Sequence, residues 1–404
     1  MRPTVFVTRK IPEQGIELLR KHCDVEVSPH DRVLSKQEII DGMRGKDALL
    51  CLLTDKIDAE LLDSNPRLRV VSNYAVGVDN VDVKAATERH IPVCNTPGVL
   101  NESVADHAIA LMLAISRRIV EADRFTRAGN YHGWAPMLLL GNDVFGKTIG
   151  VVGLGRIGRG VAERAARGFN MKVLYYDIRR DAKFEKDVGA KFSTLGEILK
   201  KADYISIHVP LLPQTRHLFG AKEFKKMKNS AYLINTSRGP VVDEQALVAA
   251  LRDREIAGAA LDVFENEPAL SPGLAELDNV IVVPHIASAT VETRGGMSLM
   301  AAENLLAVLE GKKPKSQVNP DVKPGHGYKF PFYTQAGKAV KTAAELGAAI
   351  SAMGEQEYAS HVNEHKNDFA NWVGEILKNK SLAGKLRKAQ SKEKAGELLK
   401  KAKA

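Results

Sequence analysis

Thr148-Ile149-Gly150-Val151-Val152-Gly153-Leu154-Gly155-Arg156-Ile157-Gly158 is the stretch that decides the fold. An apolar strand pattern runs into a glycine corner, and from Arg156 to Gly168 the pattern is helical. A strand that turns on Gly-x-Gly-x-x-Gly into a helix aims backbone N–H groups at one point with the helix dipole behind them, which suits a pyrophosphate. Gly153 permits the tight turn, Gly155 lets a diphosphate approach the backbone, and Gly158 lets helix and strand pack closely. Nineteen residues beyond Gly158, at the end of the next strand pattern, Asp177 can accept both hydroxyls of an adenosine ribose. A carboxylate there repels a 2′-phosphate, so NAD(H) is expected over NADP(H). Arg179 and Arg180 keep NADP(H) as the lesser alternative, because a guanidinium can grip a phosphate. A glycine turn in a sheet that binds no nucleotide is the reading that strand, helix and acid together weigh against.

Working outward, strand patterns recur at Ile149 to Val152, Lys172 to Tyr176, Tyr204 to His208, Tyr232 to Asn235, Ala259 to Val263 and Val280 to Val283. Several are apolar throughout, as parallel strands covered on both faces should be. Six strands in this order suit a dinucleotide-binding sheet. Upstream, a second alternation places strands at Val5 to Val7, Val25 to Val27, Ala48 to Leu53, Arg69 to Tyr74 and Pro92 to Asn95, a βαβα unit with its own parallel sheet. Ser35-Lys36-Gln37-Glu38 and Thr194-Leu195-Gly196-Glu197 read as capping boxes, and Glu102 to Ala128 is one long apolar-periodic segment. After Pro314 the texture changes: Pro320 and Pro324-Gly325-His326-Gly327 mark a linker. Residues 328 to 404 then read as a helical module, with a capping box at Thr342-Ala343-Ala344-Glu345 and Phe369, Trp372, Val373, Ile376 and Leu377 on one face.

The 404 residues, 44% apolar and 26% charged, can bury more than one core. No stretch approaches the roughly 20 apolar residues a bilayer crossing needs. The start, Met1-Arg2-Pro3-Thr4-Val5-Phe6-Val7-Thr8, alternates like a strand rather than a signal peptide, so a cytoplasmic location is expected, with no membrane partner. Cys23, Cys51 and Cys94 are far apart and read as small buried hydrophobes, not as a disulfide framework or a metal site. The formal charge of +9 is uneven: residues 321 to 404 hold 15 Lys/Arg against 9 Asp/Glu, which leaves +3 for the first 320.

Three polar residues follow strand patterns downstream of the glycine corner. They are Arg238 in Asn235-Thr236-Ser237-Arg238-Gly239, Glu267 in Asp262-Val263-Phe264-Glu265-Asn266-Glu267-Pro268, and His285 in Pro284-His285-Ile286. Ligands sit at the carboxyl ends of strands in open α/β sheets, so the three are expected at one rim. An arginine there can fork onto a carboxylate or ketone oxygen, although alone it is more commonly a surface cation. Hydride transfer to a ketone leaves an alkoxide, and a histidine braced by a carboxylate can protonate that oxygen near neutral pH.

With the glycine corner, these motifs resemble the D-isomer-specific 2-hydroxyacid dehydrogenases over about residues 1 to 320. The resemblance implies that Arg238 orients the keto acid, His285 gives and takes the proton, and Glu267 holds the imidazole. It implies cofactor contacts at Gly153, Gly155, Arg156, Ile157, Gly158, Asp177, Thr236 and Val104, with Asp262 facing the nicotinamide carboxamide. Asn73-Tyr74-Ala75-Val76-Gly77-Val78-Asp79-Asn80 resembles the family's substrate loop, whose amides at Val76 and Gly77 would hold the substrate carboxylate. Leu53 and Trp134 would also border the substrate, Trp134 from the partner subunit in some relatives, although it reads equally well as an interface or core aromatic.

The implied fold class is α/β: two Rossmann-like or flavodoxin-like parallel-sheet domains plus a small all-α C-terminal domain. Residues 1–100 and 290–322 would form a discontinuous substrate-binding domain and 101–289 the NAD-binding domain, with the site in a cleft that closes by a hinge. The segment Glu102 to Ala128 would serve a homodimer.

Within the family, Leu49 to Asp55, Asn73 to Gly77 and Gly133-Trp134-Ala135-Pro136 are most similar to glyoxylate and hydroxypyruvate reductases, which make glycolate and D-glycerate. Phosphite dehydrogenases carry a lysine where this loop has Val76. Phosphoglycerate dehydrogenase or another 2-oxo acid reductase remains an alternative, yet no regulatory α/β domain follows the core. An NADH-sensing binding protein similar to transcriptional corepressors is the alternative of another class, since such relatives can keep the trio.

The tail resembles a small helical family without assigned function, through Phe332-Tyr333-Thr334-Gln335-Ala336-Gly337 and His361 to Val373. His361 and His365 form an i, i+4 pair, but with no cysteine nearby they are read as surface or capping residues and no metal is expected. Lys385-Leu386-Arg387-Lys388 and Lys400-Lys401-Ala402-Lys403 lack interleaved aromatics, which argues against nucleic acid and for a protein partner or the enzyme's own oligomer.

Overall fold

The computed structural model describes residues 2–65, 67–324, 332–333, 339–340, 342–363, 367–389 and 391–402. The chain divides into two compact units, Met1–Thr96 with Met297–Ala404, and Pro97–Gly296.

The first unit carries five parallel strands, β1 (Thr4–Val7), β2 (Asp24–Val27), β3 (Ala48–Leu52), β4 (Val70–Tyr74) and β5 (Val93–Cys94), in the order β2-β1-β3-β4-β5. β3 reads Ala-Leu-Leu-Cys-Leu and β4 is buried throughout, because parallel strands covered by crossover helices have no solvent face. The predicted capping box at Ser35 and Glu38 opens the helix Lys36–Met43. Helix Glu13–His22 abuts Ser298: a Cβ on Gly15 would stand 2.2 Å from the Ser298 carbonyl oxygen, so only glycine fits there. Ser298 Oγ donates to Pro12 O at 2.6 Å and accepts from the Gly15 amide at 3.1 Å. Ser72 Oγ donates to Ala301 O at 2.9 Å, tying β4 to the same returning helix.

The second unit holds seven parallel strands: β6 (Thr148–Val152), β7 (Lys172–Tyr176), β8 (Lys191–Phe192), β9 (Tyr204–Ile207), β10 (Tyr232–Asn235), β11 (Gly258–Leu261) and β12 (Val280–Val282). Their order is β12-β11-β10-β9-β6-β7-β8, which reverses direction between β6 and β9 and creates the switch point at which such sheets bind ligands. The sequence pattern gave six; β8 is a two-residue edge strand, too short to show a periodicity.

Both faces of this sheet are covered. Ala105, Met112 and Val161 pack on Val151 and Tyr175 on one side, and Leu199, Phe219, Phe224 and Leu247 on Val152, Ile205 and Leu233 on the other. The apolar-periodic segment Glu102 to Ala128 folds as two helices, Asn101–Ser116 and Ile119–Arg127. The break falls at Arg118, whose backbone is left-handed at φ 52° and whose guanidinium closes on both oxygens of Glu121 at 2.7 Å.

The C-terminal module contains helices Ala343–Ala352, Glu355–His361, Asp368–Glu375, Lys380–Arg387 and Lys392–Lys400. It is not entirely helical: β13 (Phe332–Tyr333) pairs antiparallel with β14 (Ala339–Val340), a ladder too short to register in the sequence pattern. Thr342 caps the first helix by accepting from Glu345 N–H. Phe369, Trp372, Val373 and Ile376 are buried as one face, with the Phe332 ring 4.9 Å from that of Phe369. The linker glycines 325 and 327, Thr334 to Gly337, His365 and Lys403 lie outside the described residues. Among the described residues, no helix is long and apolar enough to cross a membrane. All three cysteines are buried, and burial pushes their thiols up, Cys23 to about 11 and Cys94 to about 12.

Candidate active site

At the end of β6 the glycine corner has the geometry its sequence demands. Gly153 sits at φ +99°, and a Cβ there would meet the His208 carbonyl carbon at 2.7 Å. A Cβ on Gly158 would stand 2.0 Å from Gly153 O, whereas one on Gly155 would meet no heavy atom within 4 Å. Gly153 therefore presses the corner against the backbone after β9, Gly158 packs the helix onto the corner, and Gly155 leaves a backbone cradle open. The helix Arg156–Phe169 begins with no side-chain cap, so its first-turn N–H groups remain for an anion; Arg156 and Ile157 occupy that turn. Asp177, one residue past β7, accepts from Leu154 N–H at 2.6 Å and Arg179 N–H at 3.3 Å, which fixes its carboxylate beside the corner. Val104 is buried in the helix Asn101–Ser116. His208 lies 2.8 Å from Ser206 Oγ, and burial pulls its imidazole down to about 4, so it is neutral at working pH.

Three loops at the carboxyl ends of β10, β11 and β12 form the second part. Asn235 is buried and fastens the first loop: its Nδ2 donates to Arg238 O at 3.0 Å while Oδ1 accepts from Ser237 N–H at 3.0 Å and Ser237 Oγ at 2.9 Å. Thr236 Oγ1 is buried and has no hydrogen-bond partner among the described residues. Gly239 lets the Arg238 loop press against the next one, since a Cβ there would fall 1.8 Å from Phe264 O. In that loop Glu267 Oε1 accepts from Phe264 N–H at 3.0 Å and Oε2 lies 3.0 Å from His285 Nδ1. A carboxylate only accepts, so Nδ1 is the donor and Nε2 is the other working atom of the ring.

His285 holds φ +53°, a left-handed conformation that costs a non-glycine residue about 1 kcal/mol. Asp262 braces that conformation: its two oxygens receive the N–H groups of Ile286 at 2.7 Å and Ala287 at 2.9 Å. His107 Nε2 approaches Asp262 Oδ1 at 3.5 Å. The structure thus brings Glu267 and His285 into contact and sets Arg238 on the adjoining loop.

Val76, Gly77 and Leu53 belong to the first unit. The loop after β4 is held by three asparagines: Asn73 Nδ2 donates to Gly77 O at 2.9 Å, Asn95 Nδ2 to Val76 O at 2.8 Å, and Asn80 Nδ2 to Leu52 O at 3.0 Å. Their carbonyls are used inward, and no acceptor among the described residues takes the N–H of Val76 or Gly77. Leu53 lies in the turn after β3. Trp134, on the loop between Arg127 and Thr148, is 82% exposed and packs into no core of its own unit. The fastening residues Asn73, Asn80, Asn95 and Asn235, and His107 behind Asp262, were not singled out from sequence. Their only signal was a polar residue at the end of an apolar strand, or on an apolar helix.

Residues 109–287 match the family described as D-isomer specific 2-hydroxyacid dehydrogenase, NAD binding domain. The chain is 50% identical over 325 residues to a glyoxylate reductase of Korarchaeum cryptofilum, covering 80% of this chain and 97% of that one. The chain belongs to the D-isomer specific 2-hydroxyacid dehydrogenase family. Among solved structures this dehydrogenase is similar to a Thermus thermophilus protein, with 44% identity, a TM-score of 0.74 and coverage of 78% of this chain and 99% of that one. It is also similar to an NADPH-dependent glyoxylate/hydroxypyruvate reductase of Sinorhizobium meliloti crystallised with NADP and malonate, with 34% identity, a TM-score of 0.72 and coverage of 80% and 99%.

The dehydrogenase is accordingly an oxidoreductase that uses NAD(H), with NADP(H) as a minor option. The cradle at Gly155, the uncapped helix start and the fixed Asp177 carboxylate fit a dinucleotide.

Proposed function

We propose that this dehydrogenase reduces glyoxylate or hydroxypyruvate with NADH, to glycolate or D-glycerate, and that His285 is the proton donor. The observation that carries the reading is the dyad, in which His285 Nδ1 stands 3.0 Å from a Glu267 carboxylate that is itself pinned by Phe264 N–H. Reduced nicotinamide, when bound, supplies the hydride. Glu267 fixes the ring so that the proton leaves from Nε2 toward the developing alkoxide. Arg238 draws the oxo oxygen and carboxylate of the substrate into line by charge-assisted hydrogen bonds. The amides of Val76 and Gly77 take the substrate carboxylate, with Leu53 and Trp134 bordering it. Asp262 holds the backbone under His285 and turns its remaining acceptor capacity to the carboxamide. Gly153, Gly155, Arg156, Ile157, Gly158, Asp177, Thr236 and Val104 hold the dinucleotide.

Position 76 is valine, so the loop offers a phosphate group no side-chain charge there, which favours the small oxo acids. The test is a panel of oxo acids with NADH: glyoxylate or hydroxypyruvate should turn over far faster than pyruvate. A preference for phosphohydroxypyruvate or phosphite would overturn the substrate class, and tight NADH binding without turnover of any of them would favour a sensor. A homodimer is part of the same reading. Ile119, Tyr131, Trp134, Met137, Leu140 and Phe145 are all more than half exposed within 27 residues of chain, an apolar density that marks an interface. Light scattering that returns a monomer at assay concentration would remove it.

A further inference from the structure

Two arginines follow the ribose carboxylate, and the structure treats them differently. Arg180 closes as a fork on Glu185, Nε to Oε1 and Nη2 to Oε2, both at 2.8 Å. The Glu185 side chain is 15% exposed against 64% for Arg180, so the acid is the fixed partner and the arginine is the one held. What fixes the acid is Tyr175, buried in the sheet on β7, whose hydroxyl donates to Glu185 Oε1 at 2.8 Å and accepts from Asp181 N–H at 2.8 Å. That second bond folds the chain back immediately after Arg180, so the tyrosine sets both the path of the loop and the position of its latch. One turn earlier on the same rim Asp181 takes Arg159, whose guanidinium also lies 5.0 Å over the Phe184 ring. Arg179 donates its backbone N–H to Asp177.

We infer that Glu185, anchored by Tyr175, is a specificity-determining residue that holds the Arg180 guanidinium away from the adenosine 2′ position and so favours NADH over NADPH. The inference rests on the cofactor half of the proposed function. Asp177 repels a 2′-phosphate by charge; Glu185 removes the nearby cation that would otherwise offset that repulsion. The two acids act on one equilibrium through different groups, one facing the ligand and one facing the protein's own arginine. Consistent with this, the Arg180 guanidinium holds the Glu185 carboxyl below the usual carboxylate range, so the latch stays charged at neutral pH.

The test measures binding of NADH and of NADPH to the full-length protein by fluorescence titration, without substrate. Glu185→Gln should tighten NADPH roughly fivefold, the scale of one charge-assisted hydrogen bond, and leave the NADH Kd within about twofold. Adding Arg180→Ala to that variant should erase the gain. An unchanged NADPH Kd in Glu185→Gln, or a gain that survives loss of Arg180, overturns the inference. Should Glu185→Gln lose NADH binding altogether, Tyr175→Phe, which removes the anchor but not the acid, must show the NADPH gain; loss of NADH binding in both means the pair serves the fold and not the choice. Failure of the reductase reading would look different: Kd ratios that respond as stated while no oxo acid is turned over.

Discussion

The loop after β4 in the first unit and the loops after β11 and β12 in the second are fastened with opposite chemistry. Neutral amides fasten the former: Asn73 and Asn95 donate to the loop carbonyls of Gly77 and Val76, and Asn80 ties the loop to Leu52 O at the end of β3. Carboxylates fasten the latter: Asp262 and Glu267 receive backbone N–H groups and, in doing so, fix an imidazole. The fastener determines what the loop can offer. An amide pin uses up carbonyls and presents donors, whereas an acid pin uses up donors and presents a charge that can polarise a neighbouring ring.

That contrast makes the two rims separable by mutation, and the largest effect belongs to the acid-built one. His285→Gln should lower kcat for NADH-dependent oxo acid reduction about a thousandfold while NADH still binds; a value within tenfold of wild type would break the comparison. Glu267→Gln, which keeps the shape and removes the charge, should cost about a hundredfold in kcat with little change in KM. On the amide-built rim the signature reverses. Asn73→Ala removes buried hydrogen bonds of about 1 to 3 kcal/mol in total and should raise KM for the oxo acid about tenfold with kcat nearly kept, and a loss confined to kcat would show that the loop does chemistry rather than binding.

The acid-built unit should also be the one with a histidine-linked acid sensitivity. His208 falls from an ordinary 6.5 to about 4 on burial, so the unfolded chain binds its proton first. Its contribution to stability is present above pH 6.5 and is lost as pH falls toward 4, and the melting midpoint should drop over that window by a few degrees less in His208→Asn. The smallest effect is expected at the tail. Removing 328–404 should leave NADH turnover within about twofold, because the Korarchaeum cryptofilum reductase is 97% covered by 325 aligned residues and has little room for such a module. Collapse of activity in that truncation would mean the module completes the site.

Much of this was legible in the chain. Strand after strand announced itself by doubly apolar runs; the glycine corner follows such a run directly, Arg238 and His285 stand three residues past one, and Glu267, six residues past β11, was picked out by the motif around it. β8 escaped because two residues carry no period, and the break at Arg118 escaped because apolar spacing continues on both sides of a single left-handed residue. The fasteners were harder. Asn73 reads as any polar residue at a strand end, and nothing near Glu185 in sequence says that a tyrosine ten residues earlier will hold it.

By itself the sequence determined the local elements, since β periodicity, glycine turns and helix caps depend on residues a few positions apart. It also determined which polar residues stand at the ends of strands. Only the tertiary structure decided the fastening pairs: Asp262 with Ile286 across 24 residues and Asn95 with Val76 across 19. Such partners meet because neighbouring parallel strands lie side by side in a particular order, and that order is a property of the packed sheet rather than of any stretch of chain.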